Sequence, residues 1–262
     1  TAHAQHSTHT HTHTHTHTHR HAHTRTYIAM CVYWHVLQVS IPDLQAKLPH
    51  CKIDGAEGIE ANQEARAEAM LKEKEDEDAQ RVRGGVVVKR LRGEPGSITR
   101  DIAESKLCFA KFATAGAPES VTTSGVLYYE VEVLGFEDGV AQVGFSLADG
   151  LPVVDGFCGD GVGDDDKSWA IDGSRQIKWH DGGSNWQVKW AVGDAFGLAA
   201  NVDTGEIAVS KNGDWSEAGC GVVFESEAIK AGVFPCFTGS SFELRCSFQD
   251  WKHAQPAADL WK

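Results

Sequence analysis

The chain has 262 residues, of which 41% are hydrophobic, and a formal net charge of −13 at pH 7. This length and composition are sufficient for a globular core. Most of the charge lies in residues 84–262, which carry 15 basic and 26 acidic side chains. Because an acidic domain repels phosphate backbones and anionic membranes, the composition excludes nucleic acid and membrane surfaces as expected partners.

The first part of the chain, residues 1–58, is of low complexity. Thr8 to His19 alternates Thr and His through six units and has no apolar face, so we expect this irregular segment to be disordered. Weak metal capture by clustered imidazoles and a translated dinucleotide repeat are both open interpretations of the tract. The apolar run Tyr27 to Val39 has 13 residues and is shorter than the roughly 17–25 needed to cross a bilayer.

Residues 59–83 are rich in Ala, Glu, Lys and Arg. Glu68 and Lys72 stand four residues apart, a spacing that supports an isolated helix. The few large apolar residues form no heptad seam, which argues against a coiled coil. We therefore expect a charged, solvated helical linker in this segment.

From residue 84 onward the sequence predicts strands. Val126 to Leu134 alternates apolar and polar side chains, which is typical of a strand with one wet face, and Phe242 to Phe248 repeats the pattern. The turn dipeptides Asp172-Gly173 and Asn212-Gly213 separate further strands. Those strands are predicted at 86–91, 107–112, 140–146, 168–171, 176–180, 195–201, 206–211 and 233–237. Many short strands favour an all-β antiparallel sandwich over residues 84–254, followed by a tail at 255–262.

Several motifs in these strands resemble the SPRY (B30.2-type) domain family. They are Ser124-Gly125-Val126-Leu127-Tyr128-Tyr129-Glu130-Val131-Glu132-Val133, Val143-Gly144-Phe145-Ser146, Ser168-Trp169-Ala170-Ile171-Asp172-Gly173, Gly193-Asp194, Lys211-Asn212-Gly213 and Phe234-Pro235. The resemblance covers about Leu107 to Trp251 and is closest to the SPRY repeats of ryanodine receptors. It implies a bent antiparallel β-sandwich and a non-enzymatic module that binds a protein or peptide through loops at one end.

By this resemblance, the binding surface comprises the loop before Val126, the loop Leu151 to Asp166 and a turn at Thr238 to Ser241. We expect Phe157 to be an apolar anchor, with the loop aspartates selecting basic groups. A plain solvated loop and a divalent cation site are the other interpretations of the acidic run, although EF-hand spacing is absent. The predicted partner-binding residues are Phe157, Asp160, Asp164, Asp165, Asp166, Trp186, Trp215 and Ser240.

The tryptophans suggest an alternative function. Trp169 and Trp190 lie in strand segments and are predicted in the core, whereas Trp186 and Trp215 lie in polar loops and are predicted to be exposed. A lectin-like sandwich that stacks a sugar on either exposed ring is therefore the alternative. His180 is expected to form a hydrogen bond at the end of a strand.

The sequence offers no residues to which catalysis can be assigned. G-x-S-x-G, H-E-x-x-H and the phosphate-binding P-loop pattern are all missing from it, and a hydrolase with paired carboxylates has no cleft that the sequence locates. We therefore predict no enzyme activity, no cofactor and no metal. The cysteines are odd in number and widely spaced, which favours a reducing intracellular location, cytoplasmic or nuclear.

Overall fold

The computed structural model describes residues 56–83 and 85–261. The predictions for the Thr-His tract and for the apolar run Tyr27 to Val39 lie outside the described residues. The chain divides into two compact units, Thr1–Asn62 and Gln63–Lys262. Within the first unit, the structure describes only the first residues of a helix.

One α-helix precedes a sheet of thirteen strands in the described part of the chain. The helix is α1 (Ala56–Val82). The strands are β1 (Lys89–Gly93), β2 (Ile98–Asp101), β3 (Lys106–Phe109), β4 (Ala113–Gly116), β5 (Val126–Leu147), β6 (Val154–Asp155), β7 (Ser168–Asp172), β8 (Ile177–Trp179), β9 (Gly183–Asn185), β10 (Ala195–Asn201), β11 (Glu206–Lys211), β12 (Gly221–Glu225) and β13 (Val233–Ser247).

Two long strands, β5 and β13, run through both layers of the fold. The first half of β5 pairs with β10, and its second half, from Val143 to Ser146, pairs with β7. In β13, the residues from Cys236 to Gly239 pair with β4, and those from Phe242 to Arg245 pair with β3. All pairings are antiparallel except the two-residue contact of β1 with β6. The predicted bent antiparallel β-sandwich is thereby confirmed.

The bend in β13 lies where the sequence predicts a turn. Thr238 to Ser241 is part of a continuous strand, so the predicted turn is wrong. The register with β5 shifts between Ser240 and Phe242, and Ser241 has a φ of 51°. A β-bulge of this kind bends a strand without ending it, which lets β13 pass from one layer to the other.

The core between the layers is built from large apolar side chains. Trp169, Tyr129, Phe145 and Phe237 are fully buried. The Tyr129 ring meets those of Phe145 and Phe237 edge-on, with centroids 5.2 and 5.7 Å apart. Trp169 and Trp190 lie in this core, as predicted.

The outer face of β5, predicted to be wet, is covered by the end of the domain. Tyr128 and Glu130 are both buried. The Glu130 carboxylate accepts hydrogen bonds from the backbone N–H groups of Lys252 and His253, at 2.6 and 2.8 Å, and the Trp251 ring packs edge-on against Tyr128. The alternation therefore identified the strand correctly, but the polar face is shielded by a segment distant in sequence.

Helix α1 packs against the sandwich, contrary to the prediction of a solvated linker. Glu73 pairs with Arg90 of β1, and its carboxylate also accepts a hydrogen bond from the backbone N–H of Gly96. Gln80 accepts a hydrogen bond from the backbone N–H of Val88. A helix without an apolar stripe can therefore dock here because the sandwich presents matching charges and donors.

Candidate functional site

The loop between β5 and β7, residues 148–167, is the best-defined surface feature that the sequence singled out. Its inner part is fixed to the sheet: Val162 is fully buried, and its backbone N–H donates to Thr238 Oγ1 at 3.0 Å. Thr238 Oγ1 is in turn 2.7 Å from Thr114 Oγ1 of β4. Val162 packs with Leu91, Leu151, Ala170, Phe234 and Cys236 in a small apolar cluster. The middle of the loop, at Val162, is therefore anchored to the sheet.

Two glycines allow this close approach. A Cβ atom at Gly161 would lie 2.1 Å from Gln142 Oε1, and one at Gly163 would lie 2.4 Å from the Cβ of Trp179. Gly163 also has a φ of 90°, a conformation that side-chain-bearing residues rarely adopt. The glycine-rich character of the loop therefore serves packing and does not form a nucleotide-binding turn.

The three consecutive aspartates have different roles. Asp164 accepts a hydrogen bond from the backbone N–H of Gly161 at 2.7 Å. Asp165 Oδ1 accepts from the Lys167 backbone N–H at 3.1 Å and from Ser168 Oγ at 2.6 Å. Asp166 is exposed. The first two carboxylates are therefore used to shape the turn, and only the third is fully presented to solvent.

The outer part of the loop presents an apolar surface. Phe157 is 62% exposed, and its ring rests edge-on against Phe112, with centroids 5.3 Å apart. Val153 and Val154 beside it are 63% and 36% exposed. Asp160 is also exposed. We call Val153, Val154, Phe157, Asp160 and Asp166 the outer loop surface.

Not all of the acidic side chains in this region are available to a partner. Asp155 pairs with Arg90 at 2.9 Å and with Arg66 at 3.4 Å, and the Arg90 hydrogen bond holds the pKa of the Asp155 carboxyl below its usual value. Asp149 pairs with Lys167 at 2.8 Å, and this hydrogen bond lowers the pKa of Asp149. Asp160 and Asp166 are thus the loop carboxylates most open to a basic group.

The predicted site residues do not form one surface. Trp186 is only 5% exposed, and its Nε1–H donates to the Gly219 carbonyl at 2.7 Å, so its predicted exposure is wrong. Trp215 is half-buried against Tyr128 of β5, on the half of that strand that pairs with β10. The loop 148–167 leads instead from the other end of β5.

Strand β13 shows where two other predicted parts of the site lie. One is the loop before Val126, and the other is Ser240. Thr122 in that loop pairs with Val233, while Ala113, next to Phe112, pairs with Gly239. Six residues of extended strand correspond to about 20 Å, so the loop before Val126 lies well away from the Phe112 end. Ser240 is half-buried next to Gly239 and belongs to the Phe112 end.

Sequence reasoning missed Phe112 and α1 as parts of this region. Phe112 was included in a predicted strand, but it follows the end of β3 and supports Phe157. The available signal was an aromatic residue directly after the charged Lys111. Arg66 and Glu73 carried no sequence signal, because charged helix residues usually face water.

His180 behaves as the sequence predicts. Its Nδ1 atom is 2.9 Å from the Ser168 carbonyl oxygen, and its ring stacks on Trp169 with centroids 4.8 Å apart. His180 follows the last residue of β8. Within the described ranges, no group of three or more His, Cys, Asp or Glu side chains is arranged to hold a metal ion.

Comparison with known proteins finds one family model and a solved structure to which the chain is similar. The family model described as "SPRY domain" matches residues 126–249. The crystal structure of the SPRY domain of human HERC1 is similar to this chain with a TM-score of 0.47 and 16% sequence identity. That similarity covers 59% of this chain and 94% of the HERC1 chain. The finer resemblance to the ryanodine receptor repeats is not confirmed.

The family match begins at β5, yet the sandwich extends further toward the N-terminus. β3 and β4 both pair with β13, so they are integral to the same sheet.

In the part of the chain that the structure describes, no helix has the length and apolar composition required to span a bilayer.

Proposed function

We propose that this protein uses the outer loop surface to bind a protein or peptide that combines an apolar side chain with basic groups. SPRY domains are in general protein-interaction modules and are typically non-catalytic. The observation that carries the proposal is Phe157, a large apolar side chain that is 62% exposed on a loop fixed from beneath. Aromatic anchors on preorganised supports contribute a large share of binding energy in protein interfaces.

The charges around Phe157 favour a basic partner. Asp160 and Asp166 are exposed and lie on the same loop, and the domain as a whole is strongly acidic. Such a field accelerates the approach of a positively charged segment and disfavours acidic ones at this surface. The apolar contact would supply affinity and the carboxylates selectivity.

The lectin alternative has no comparable support. Trp186 is buried, and Trp215 is partly covered by Tyr128 and donates its Nε1–H toward the Ala254 carbonyl at 3.4 Å. A sugar-stacking platform requires an open ring face.

The cysteines within the described ranges are free thiols, which supports the proposed intracellular location.

A peptide-display screen against the full chain tests this proposal. We expect enriched peptides to contain an aromatic or aliphatic residue close to Lys or Arg. Phe157→Ser should weaken a selected peptide by about tenfold or more, corresponding to at least about 1.4 kcal/mol. Val192→Ser is the matched control, because Val192 is 65% exposed on a different turn.

The charge contribution is tested separately. Asp160→Asn with Asp166→Asn should reduce binding of the same peptide at low salt and leave the thermal midpoint unchanged. Glu217→Gln, an exposed carboxylate elsewhere, is the control. Selected peptides that bind Phe157→Ser and Val192→Ser equally well would refute the assignment of the outer loop surface.

A further inference from the structure

The strands under helix α1 carry a cluster of basic side chains in an otherwise acidic domain. Lys89 and Arg90 belong to β1 and Arg100 belongs to β2. We call these three residues the basic strip. The helix residues facing it are acidic: Glu73 binds Arg90, and Glu73, Asp76 and Glu77 are the carboxylates that act on Arg100. Charge complementarity is thus the main feature of this contact.

Arg90 is well satisfied by its surroundings. Its side chain is only 7% exposed, and its Nε lies 3.0 and 3.1 Å from the two carboxylate oxygens of Glu73. Its Nη1 donates to the Gly93 carbonyl at 2.8 Å and to Asp155 at 2.9 Å. The contact of Arg90 with Glu73 therefore shows how the basic strip binds a carboxylate.

Arg100 has the same chemistry but lacks a partner. It is 9% exposed, and none of its three guanidinium nitrogens has a hydrogen-bond acceptor among the described residues. Burial lowers the pKa of Arg100, and the neighbouring Arg90 lowers it further, while the helix carboxylates raise it. A buried guanidinium without hydrogen bonds is destabilising, so this position would gain from a carboxylate that reaches it.

The helix itself is held without an apolar seam. Met70 and Leu71 are 47% and 60% exposed, so these two large apolar side chains are not packed into the contact. Its contacts with the sandwich include ion pairs of Arg66 with Glu94 and of Arg81 with Glu119, both with partly exposed partners. Such pairs contribute little individually and are screened by salt, so α1 should be displaced more easily than a strand of the sandwich.

We infer that the basic strip is a binding site for an acidic peptide segment of a partner protein, and that α1 occupies this site from within the same chain. The partner would pair one carboxylate with Arg90, replacing Glu73, and a second with Arg100, whose nitrogens α1 leaves without acceptors. Arginine binds carboxylates through two parallel hydrogen bonds, which gives such a site its preference for Asp and Glu. This inference goes beyond the proposed function, since it uses a different surface and a partner of opposite charge.

Competition between α1 and an added peptide tests the inference. The probe is a fluorescein-labelled peptide with the sequence of residues 70–83, and the control peptide replaces its counterparts of Glu73, Asp76 and Glu77 with Gln, Asn and Gln. We expect the full chain carrying Glu73→Gln and Glu77→Gln to bind the probe about tenfold more tightly than the unmodified chain in about 20 mM salt. The affinity should fall again by about tenfold in about 300 mM salt.

Two further variants locate the site. Adding Arg90→Gln to the double variant should remove most of the gain in affinity, because Arg90 binds the Glu73 carboxylate of this segment. Adding Phe157→Ser should leave the affinity for the acidic probe within about twofold. The second result separates this site from the outer loop surface, so either proposal can fail alone. Circular dichroism checks that each variant is folded, and the single variant Glu73→Gln replaces the double variant if the latter unfolds.

The inference is overturned if a folded variant with a neutralised helix binds the acidic probe no better than the unmodified chain. It is also overturned if Arg90→Gln has no effect on the binding, or if the control peptide binds as well as the probe.

Discussion

The interior of the sandwich and the contact under helix α1 are two ways of joining segments of the same chain. In the interior, fully buried aromatic side chains such as Trp169 and Phe237 pack from both layers, and strands supply the backbone hydrogen bonds. Under α1, charged side chains such as Arg90 and Glu73 make the contact, and the large apolar side chains Met70 and Leu71 of the helix are exposed. The first contact depends on exclusion of water, and the second depends on electrostatic attraction.

This difference teaches that the two regions should respond to different perturbations. Apolar burial is insensitive to moderate salt, whereas the outer ion pairs of α1, such as Arg66 with Glu94, are partly exposed and weaken as salt screens them. The sandwich should therefore persist under conditions in which α1 detaches. Three pairs of substitutions test how the regions differ, from the largest expected effect to the smallest.

The largest effect is expected in the core. Trp169→Ala removes a fully buried indole and should lower the free energy of unfolding by about 3–5 kcal/mol, because a cavity remains where the ring packed. Denaturant unfolding followed by intrinsic fluorescence measures the loss. Trp251→Ala, at a position 37% exposed, should cost less. An equal loss for both variants would contradict the placement of Trp169 at the centre of the core.

The intermediate effect is expected at the helix contact. Glu73→Gln keeps the shape of the side chain but removes the charge opposite Arg90, and we expect a loss of about 1–3 kcal/mol at low salt. Hydrogen exchange should become faster in residues 66–80 and remain slow in β5 and β13. Glu68→Gln, at an exposed helix position, is the control. Unchanged exchange in the helix would show that the ion pair does not hold it.

The smallest effects are expected within the run of aspartates, where neighbouring positions differ. Asp165→Asn weakens two hydrogen bonds that shape the turn and should cost about 1–2 kcal/mol. Asp166→Asn changes an exposed side chain and should stay within about 0.5 kcal/mol. Thermal unfolding of the two variants measures both losses of stability. A larger loss of stability for Asp166→Asn than for Asp165→Asn would contradict the conclusion that Asp165 shapes the turn.

The strands that the sequence predicted are those with clear patterns. The alternation from Val126 to Leu134 and the apolar run Ala195 to Asn201 both correspond to strands. β2, β4, β6, β9 and β12 were missed. β4 reads Ala-Thr-Ala-Gly and is buried on both faces, so its residues do not alternate, and β9 reads Gly-Ser-Asn, which is typical of turns. Such short segments become strands only because a neighbour offers hydrogen bonds.

The candidate site was predictable in part. The Gly- and Asp-rich composition identified the loop, and Phe157 stood out as its single aromatic residue. The separate roles of Asp164, Asp165 and Asp166 could not be predicted, because they depend on which backbone N–H groups each carboxylate meets after folding. The exposure of Trp186 was misjudged for the same reason: polar neighbours in sequence do not reveal a carbonyl acceptor 33 residues away at Gly219.

The sequence by itself determined the fold class, because alternating side chains and short turn motifs are local properties of a strand-rich chain. Only the tertiary structure decided which charged residues are available. It buries Glu130 beneath the C-terminal segment, uses Asp165 in a turn, and brings Glu73 against Arg90 while leaving Arg100 without an acceptor. The physical reason is that charge and burial depend on contacts between residues distant in sequence, which local patterns do not encode.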